Sequence, residues 1–169
     1  VKQILIPDLK LEDEKEKRHM LELAAHCQVP VYQCAKGTEL EQDGMHIRVL
    51  NPVVQKHYES PNAGSMTLLV SFQDFSALLT GDLEGSGEQQ AAEALEENVD
   101  VLKVAHHGSR NSSSEEFLEK AGGTSAVISC GAGNSYGHPH SELLDRLKRA
   151  GYKILRTDQD GMIRFKVKK

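Results

Sequence analysis

Apolar residues fall in short runs separated by longer stretches in which they return every three or four positions, the alternation expected of strands joined by helical crossovers. Residues 1–6 are an apolar run ended by Pro7 and read as a strand. Over residues 11–27, Leu11, His19, Met20, Leu23, Ala24 and Cys27 approximate one helical face, while the charged run EDEKEKR supplies a solvated one. Pro30 opens a second strand over 31–35, so this first strand, helix and strand predict a parallel pair. Met45, Ile47 and Val49 then alternate with His46 and Arg48, a half-buried strand that sends His46 to solvent. Residues 51–64 carry Pro52, Pro61 and Gly64 and read as a loop in which His57 is a bystander.

The centre of the chain repeats the alternation with polar residues at its joints. Runs at 66–72 and 75–79, split by Gln73-Asp74, predict a tight hairpin in which Leu79 is a core position. After Gly85 and Gly87, residues 88–97 are rich in Ala and Glu and form a helix, and residues 101–105 are again strand-like. A right-handed crossover makes the strands at 75–79 and 101–105 parallel, so both carboxyl ends emerge on one edge. Asp82 lies just past the first strand and His106-His107 just past the second, which turns them toward one crevice. Alternation does not choose between the two histidines, since adjacent strand residues face opposite ways.

Beyond them, Asn111 to Ser114 offer helix caps ahead of Glu115-Glu116, for a helix ending at Ala121 before Gly122-Gly123. Residues 126–130 are strand-like. The loop at 131–137, with three glycines, opens on the same side as the crevice and presents Asn134, Tyr136, His138 and His140. Ser141 caps a last helix that buries Leu143, Leu144, Leu147 and Ala150 and stops at Gly151. Residues 152–157 and 162–167 flank Asp160-Gly161, a hairpin signal.

Composition narrows the classes. A chain of 169 residues with 38% hydrophobic positions suits one globular α/β domain, and no apolar run approaches the ~18 residues that span a bilayer. A net charge of -5 argues against a broadly basic nucleic-acid surface. Cys27, Cys34 and Cys130 form no C-x-x-C pair, which excludes a zinc ribbon; pairing of Cys27 with Cys34 is the alternative to the favoured reading of buried free thiols. The chain opens at Val1 with no secretory signal, as expected of a piece of something longer.

The chemistry lies in the pairing. A carboxylate and neutral imidazoles brought to one sheet edge suit a divalent metal such as zinc or manganese. Taken singly, Thr80-Gly81-Asp82 is also an ordinary turn, and the histidines ordinary surface residues. His138, on a glycine-freed loop with a near-neutral intrinsic pKa, is the candidate general acid or phosphate contact. His140, just before the helix cap, reads as a helix-start residue.

Three blocks in this order, LLTGDLE, DVLKVAHHGSRNSSS and SCGAGNSYGHPHSELLDRL, resemble the second half of the metallo-β-lactamase-like domain that ends the ComEC family of DNA-internalisation proteins. The resemblance runs from about Ser65 to the C-terminus. It implies the C-terminal half of an αββα sandwich, with Asp82 as metal-bridging aspartate and catalytic residue and with His106 and His107 as metal ligands. It also implies His138 as catalytic, and Ser109, Asn134 and His138 as substrate contacts. Asn62 and Ser65 resemble an Asn-x-x-Ser element near the active side. The family's primary block, His-x-His-x-Asp-His or His-x-Asp-x-Asp-His, does not occur in these residues, and Ser129-Cys130-Gly131 stands where many cousins carry a ligand histidine.

The implied whole is a zinc- or manganese-dependent nuclease acting on DNA during natural transformation. Its partners would be the upstream half of the domain and a transmembrane channel region, in a parent protein of the bacterial cell membrane with this part extracytoplasmic. The 169 residues alone would hold metal weakly, lack activity and hide an apolar sheet face by self-association. A non-catalytic interaction domain, or a phosphorylcholine esterase or lactonase of the same superfamily, is the alternative.

Overall fold

Residues 1–9 and 15–167 are described by a computed structural model. Leu11, expected on the first helix, lies outside the described residues. In chain order the elements are β1 (Ile4–Pro7), α1 (Lys15–His26), β2 (Val31–Cys34), β3 (Glu39–Gln42), β4 (Met45–Asn51), β5 (Thr67–Phe72), β6 (Phe75–Leu79) and α2 (Ser86–Glu93). There follow β7 (Val101–Lys103), a 3₁₀ turn (Ala105–Gly108), α3 (Glu115–Ala121), β8 (Ser125–Ile128), α4 (Ser141–Arg149), β9 (Lys153–Arg156) and the single turn α5 (Thr157–Asp160). Among these helices none is long and apolar enough to cross a membrane.

The predicted α/β class holds, and so do its parallel joints. β1 and β2 pair in parallel as a two-stranded sheet, while β3 to β9 form a seven-stranded sheet in sequence order. Its strands are antiparallel from β3 to β6 and parallel from β6 to β9, with α2, α3 and α4 as the crossovers. Crossovers of one hand put helices on one face. Leu78, Leu102, Ala126 and Ile154 stand in register across four strands on that face. The first three are fully buried beneath Phe117, Leu118, Leu143 and Leu147, with Ile154 packed at the edge of the same core.

That register corrects one expectation. Leu79 lies on the opposite face and is 40% exposed, whereas its neighbour Leu78 is 0% exposed. The row Leu79, Lys103, Val127 and Leu155 lies on this second face, where Phe165 approaches Phe75 at 6.1 Å between ring centres. Helix α1 departs similarly, because it buries only Ala24 and leaves Leu23 and Cys27 exposed. Of the three free thiols only Cys34 is fully buried.

Both Asp-Gly pairs behave differently from the reading above. Asp43-Gly44, both with positive φ, turns β3 into β4, a hairpin the pattern analysis did not mark. At Asp160-Gly161 no hairpin forms: residues 157–160 wind into α5, and residues 162–167 are not strand. The reason is local, since Asp160 Oδ2 accepts from Arg156 N at 2.7 Å and Asp158 pairs with the Arg156 guanidinium at 2.6 Å. Side-chain acceptors thus take the backbone and cation that a returning strand would meet.

Candidate functional site

The crevice lies at the carboxyl ends of β6, β7 and β8. Thr80 Oγ1 donates to Lys103 O at 2.6 Å and His106 N to Gly81 O at 3.0 Å, which ties the turn after β6 to the turn after β7. Asp82 N in turn donates to Ser65 Oγ at 3.3 Å, so Ser65 holds the Asp82 backbone from the loop before β5. That loop is laced down: Asn51 Nδ2 donates to Ala63 O and Ser65 O at 3.0 and 2.9 Å, and Glu59 accepts from Ser86 N and Oγ at 2.7 and 2.6 Å.

His106 and His107 are not strand residues. β7 ends at Lys103, and the two histidines occupy a turn with left-handed backbone, φ 46° and 53°. Non-glycine residues hold such dihedrals only where their surroundings enforce them, and such positions cluster at functional sites. Their rings therefore do not point to opposite faces of a strand, and each has its own partner. His107 Nδ1 lies 2.7 Å from Ser129 O, and a carbonyl can only accept, so Nδ1 carries the proton. In neutral His107 the lone pair is then on Nε2, which stands 3.8 Å from Asp82 Oδ1. His106 Nδ1 instead meets Glu84 Oε1 at 2.8 Å. Asn62 Nδ2 touches the same carboxylate at 3.4 Å.

The loop at 131–140 completes the rim. His138 packs edge-on against His106 with ring centres 5.5 Å apart and against His140 at 4.8 Å. Burial first, then the neighbouring His140, His106 and His107, hold its pKa below the ordinary histidine value. Asn134 is spent within the loop, its Nδ2 donating to Gly131 O and His138 O at 3.0 and 2.6 Å and its Oδ1 accepting from His138 N at 3.0 Å. Ser109 is buried, with its Oγ accepting from Asn111 N at 3.2 Å. His140 is the residue before α4, as expected, and its Nδ1 accepts from Arg110 N at 3.1 Å.

Two loops are thus stapled into one unit. His140 N donates to Gly108 O at 2.9 Å, and Gly108, at φ +92°, leaves no room for a side chain: a Cβ there would lie 2.5 Å from Pro139 Cβ and 3.1 Å from Leu143 Cδ2. Gly108→Ala should therefore lower the melting midpoint by several degrees, equivalent to about 1–3 kcal/mol of overpacking. An unchanged midpoint would show that the loops give way freely. The far side of the turn is braced by Arg146, which donates to Arg110 O, Ser112 O and Ser113 O at 2.8, 2.7 and 3.1 Å. Glu88, buried in α2 with its pKa raised by that burial, accepts from Ser113 N and from Ser114 N.

Glu84, Lys103, Glu88 and Arg146 were not singled out from sequence. Lys103 carried a signal, being the one charge inside the apolar run VLKVA; burial lowers its pKa and the Asp82 carboxylate opposes the shift. Glu84 carried only its position two residues past Asp82. Among the described residues no three His, Cys, Asp or Glu side chains stand close enough to hold a metal ion by themselves.

The sheet is an α/β sheet that turns a carboxylate and histidines together past the ends of adjacent parallel strands, the edge at which open α/β sheets as a class bind ligands. The chain belongs to the ComEC family. It is 36% identical over 169 residues to ComE operon protein 3 of Bacillus subtilis, covering 99% of this chain and 22% of that protein. It is also 36% identical to Recombination protein 2 of Haemophilus influenzae over 133 residues and to Competence protein ComA of Neisseria gonorrhoeae over 125 residues. The chain spans only 16% and 18% of the length of those two relatives. No family model matches it.

Proposed function

We propose that these residues form the second half of a metal-dependent phosphodiesterase domain of the metallo-β-lactamase type, which cuts DNA as the parent protein takes it up. The observation that carries the reading is the pair Asp82 and His107. Ser129 O fixes the His107 tautomer, and the free lone pair of Nε2 meets a carboxylate oxygen across 3.8 Å. A carboxylate oxygen and an imidazole lone pair brought this close are a donor set that would suit zinc or manganese in part. Such an ion supplies Lewis-acid activation of a phosphoryl oxygen and of water.

The chain's own groups have separable tasks in this reading. Asp82 and His107 would hold the ion together with ligands from an upstream segment. Glu84 keeps the proton of His106 on Nδ1 and so leaves the lone pair of that ring on Nε2. His138, whose pKa burial and the neighbouring imidazoles lower, gains a proton more readily when a phosphate brings negative charge beside it, and then donates to the departing oxygen. A competence role rests on the names of the relatives, two of which are called competence or ComE operon proteins. In that setting the domain is attached to a membrane-embedded channel region and works outside the cytoplasm.

Metal content and DNA cleavage measured on this chain beside a chain extended upstream test the proposal. Cleavage with zinc or manganese only in the extended protein is the expected result. Stoichiometric metal and full cleavage in the 169 residues would place the ligands wrongly, and inertness of both would favour a non-catalytic interaction domain.

A further inference from the structure

Tyr136 is 78% exposed, unusual for an aromatic ring in a chain with only 5% aromatic residues and no tryptophan. It does not hang free, because it stacks on His138 with ring planes 26° apart and centres 5.9 Å apart. His138 continues edge-on to His106 at 5.5 Å, and His106 to His107 at 6.5 Å. A ladder of flat rings therefore runs from open solvent to the Asp82 and His107 pair. Its seat is fixed in advance: the Asn134 side chain grips both N and O of His138, and His140 N anchors the loop on Gly108 O.

We infer that Tyr136, backed by His138, is a stacking platform for an unpaired nucleobase next to the phosphate in the crevice. The inference rests on the proposed phosphodiesterase reading and adds to it the kind of substrate: a single-stranded end or gap, in which a base is free to leave its neighbours and lie on the ring. Stacking on an aromatic face tolerates any base, since every base has a π-face. Charge is no substitute here. Residues 131–140 contain no Lys or Arg and the chain carries a net charge of -5, so a phosphate-tracking basic groove is not what this rim offers. Binding through the platform accordingly depends weakly on salt, because few counterions are released.

The test uses the upstream-extended protein in EDTA, so that binding is read without cleavage. A short single strand carrying 2-aminopurine is titrated, and its fluorescence is expected to quench as the base stacks. Tyr136→Phe should bind like the parent, whereas Tyr136→Ala should bind about tenfold more weakly and lose the quench. A strand with abasic sites should bind the parent as weakly as Tyr136→Ala binds the intact strand. Tighter binding to duplex than to single strand, or equal binding of Tyr136→Ala and the parent, would overturn the platform. Failure of the hydrolase reading is seen separately, as absence of manganese- or zinc-dependent cleavage by the unaltered protein, and leaves the EDTA titration to decide the stacking.

Discussion

Asp82→Ala in the upstream-extended protein should abolish metal-dependent cleavage, by at least about a hundredfold, while leaving the melting midpoint almost unchanged. Even residues that merely orient a metal ligand are worth about 10–100-fold, and Asp82 is proposed as a ligand itself. Its side chain is 45% exposed beyond the end of β6, so little packing is lost with it. His107→Ala should match it in activity. Leaving Ser129 O without a donor affects stability little, because that carbonyl sits where water can reach the crevice. Cleavage within a few-fold of the parent in Asp82→Ala would remove the metal role from this edge of the sheet.

The largest stability effect is expected from Leu78→Ala. Leu78 is 0% exposed, in register with Leu102 under the helices, and truncating a fully buried leucine costs about 2–5 kcal/mol. For a chain with the usual marginal stability of about 5–15 kcal/mol that is a large fraction. Urea unfolding followed by circular dichroism measures it through the shift of the midpoint. Leu79→Ala, one residue on, should cost clearly less, because that side chain is 40% exposed. Equal losses at both positions would mean that something covers the second face of the sheet in solution.

The Leu78 and Leu79 pair shows where sequence reading reached its limit. An apolar run reveals a strand, but when both neighbours are leucine the pattern does not say which one faces the helices. The parallel joints were legible, because strand and helix patterns alternate with lengths that only a crossover fits. The convergence of Asp82 with the histidines was legible for the same reason. The backbone at His106 and His107 was not, since nothing in the letters HH announces two successive left-handed residues. Nor was the division of labour between the rings, which depends on partners 22 residues away in each direction, Glu84 for His106 and Ser129 for His107. Asp43-Gly44 and Asp160-Gly161 carry the same dipeptide, and only the acceptors at Asp158 and Asp160 turn the second toward helix.

Every strand of the large sheet pairs with the strand next to it in sequence. Assembly can therefore proceed as a zipper, with no loop closed that is longer than one crossover, and short closures are entropically cheap and fast. The antiparallel stretch from β3 to β6 needs two tight turns and the loop of residues 52–66, all shorter closures than the helical crossovers, and forms first, giving β7 and then β8 a template to dock on. The histidines and Asp82 stand on the turns behind β6 and β7, and His138 on the loop behind β8, so the crevice takes shape in the late steps. Substitutions in the β4–β5–β6 meander will then change the folding rate, and substitutions around His107 and His138 chiefly the unfolding rate.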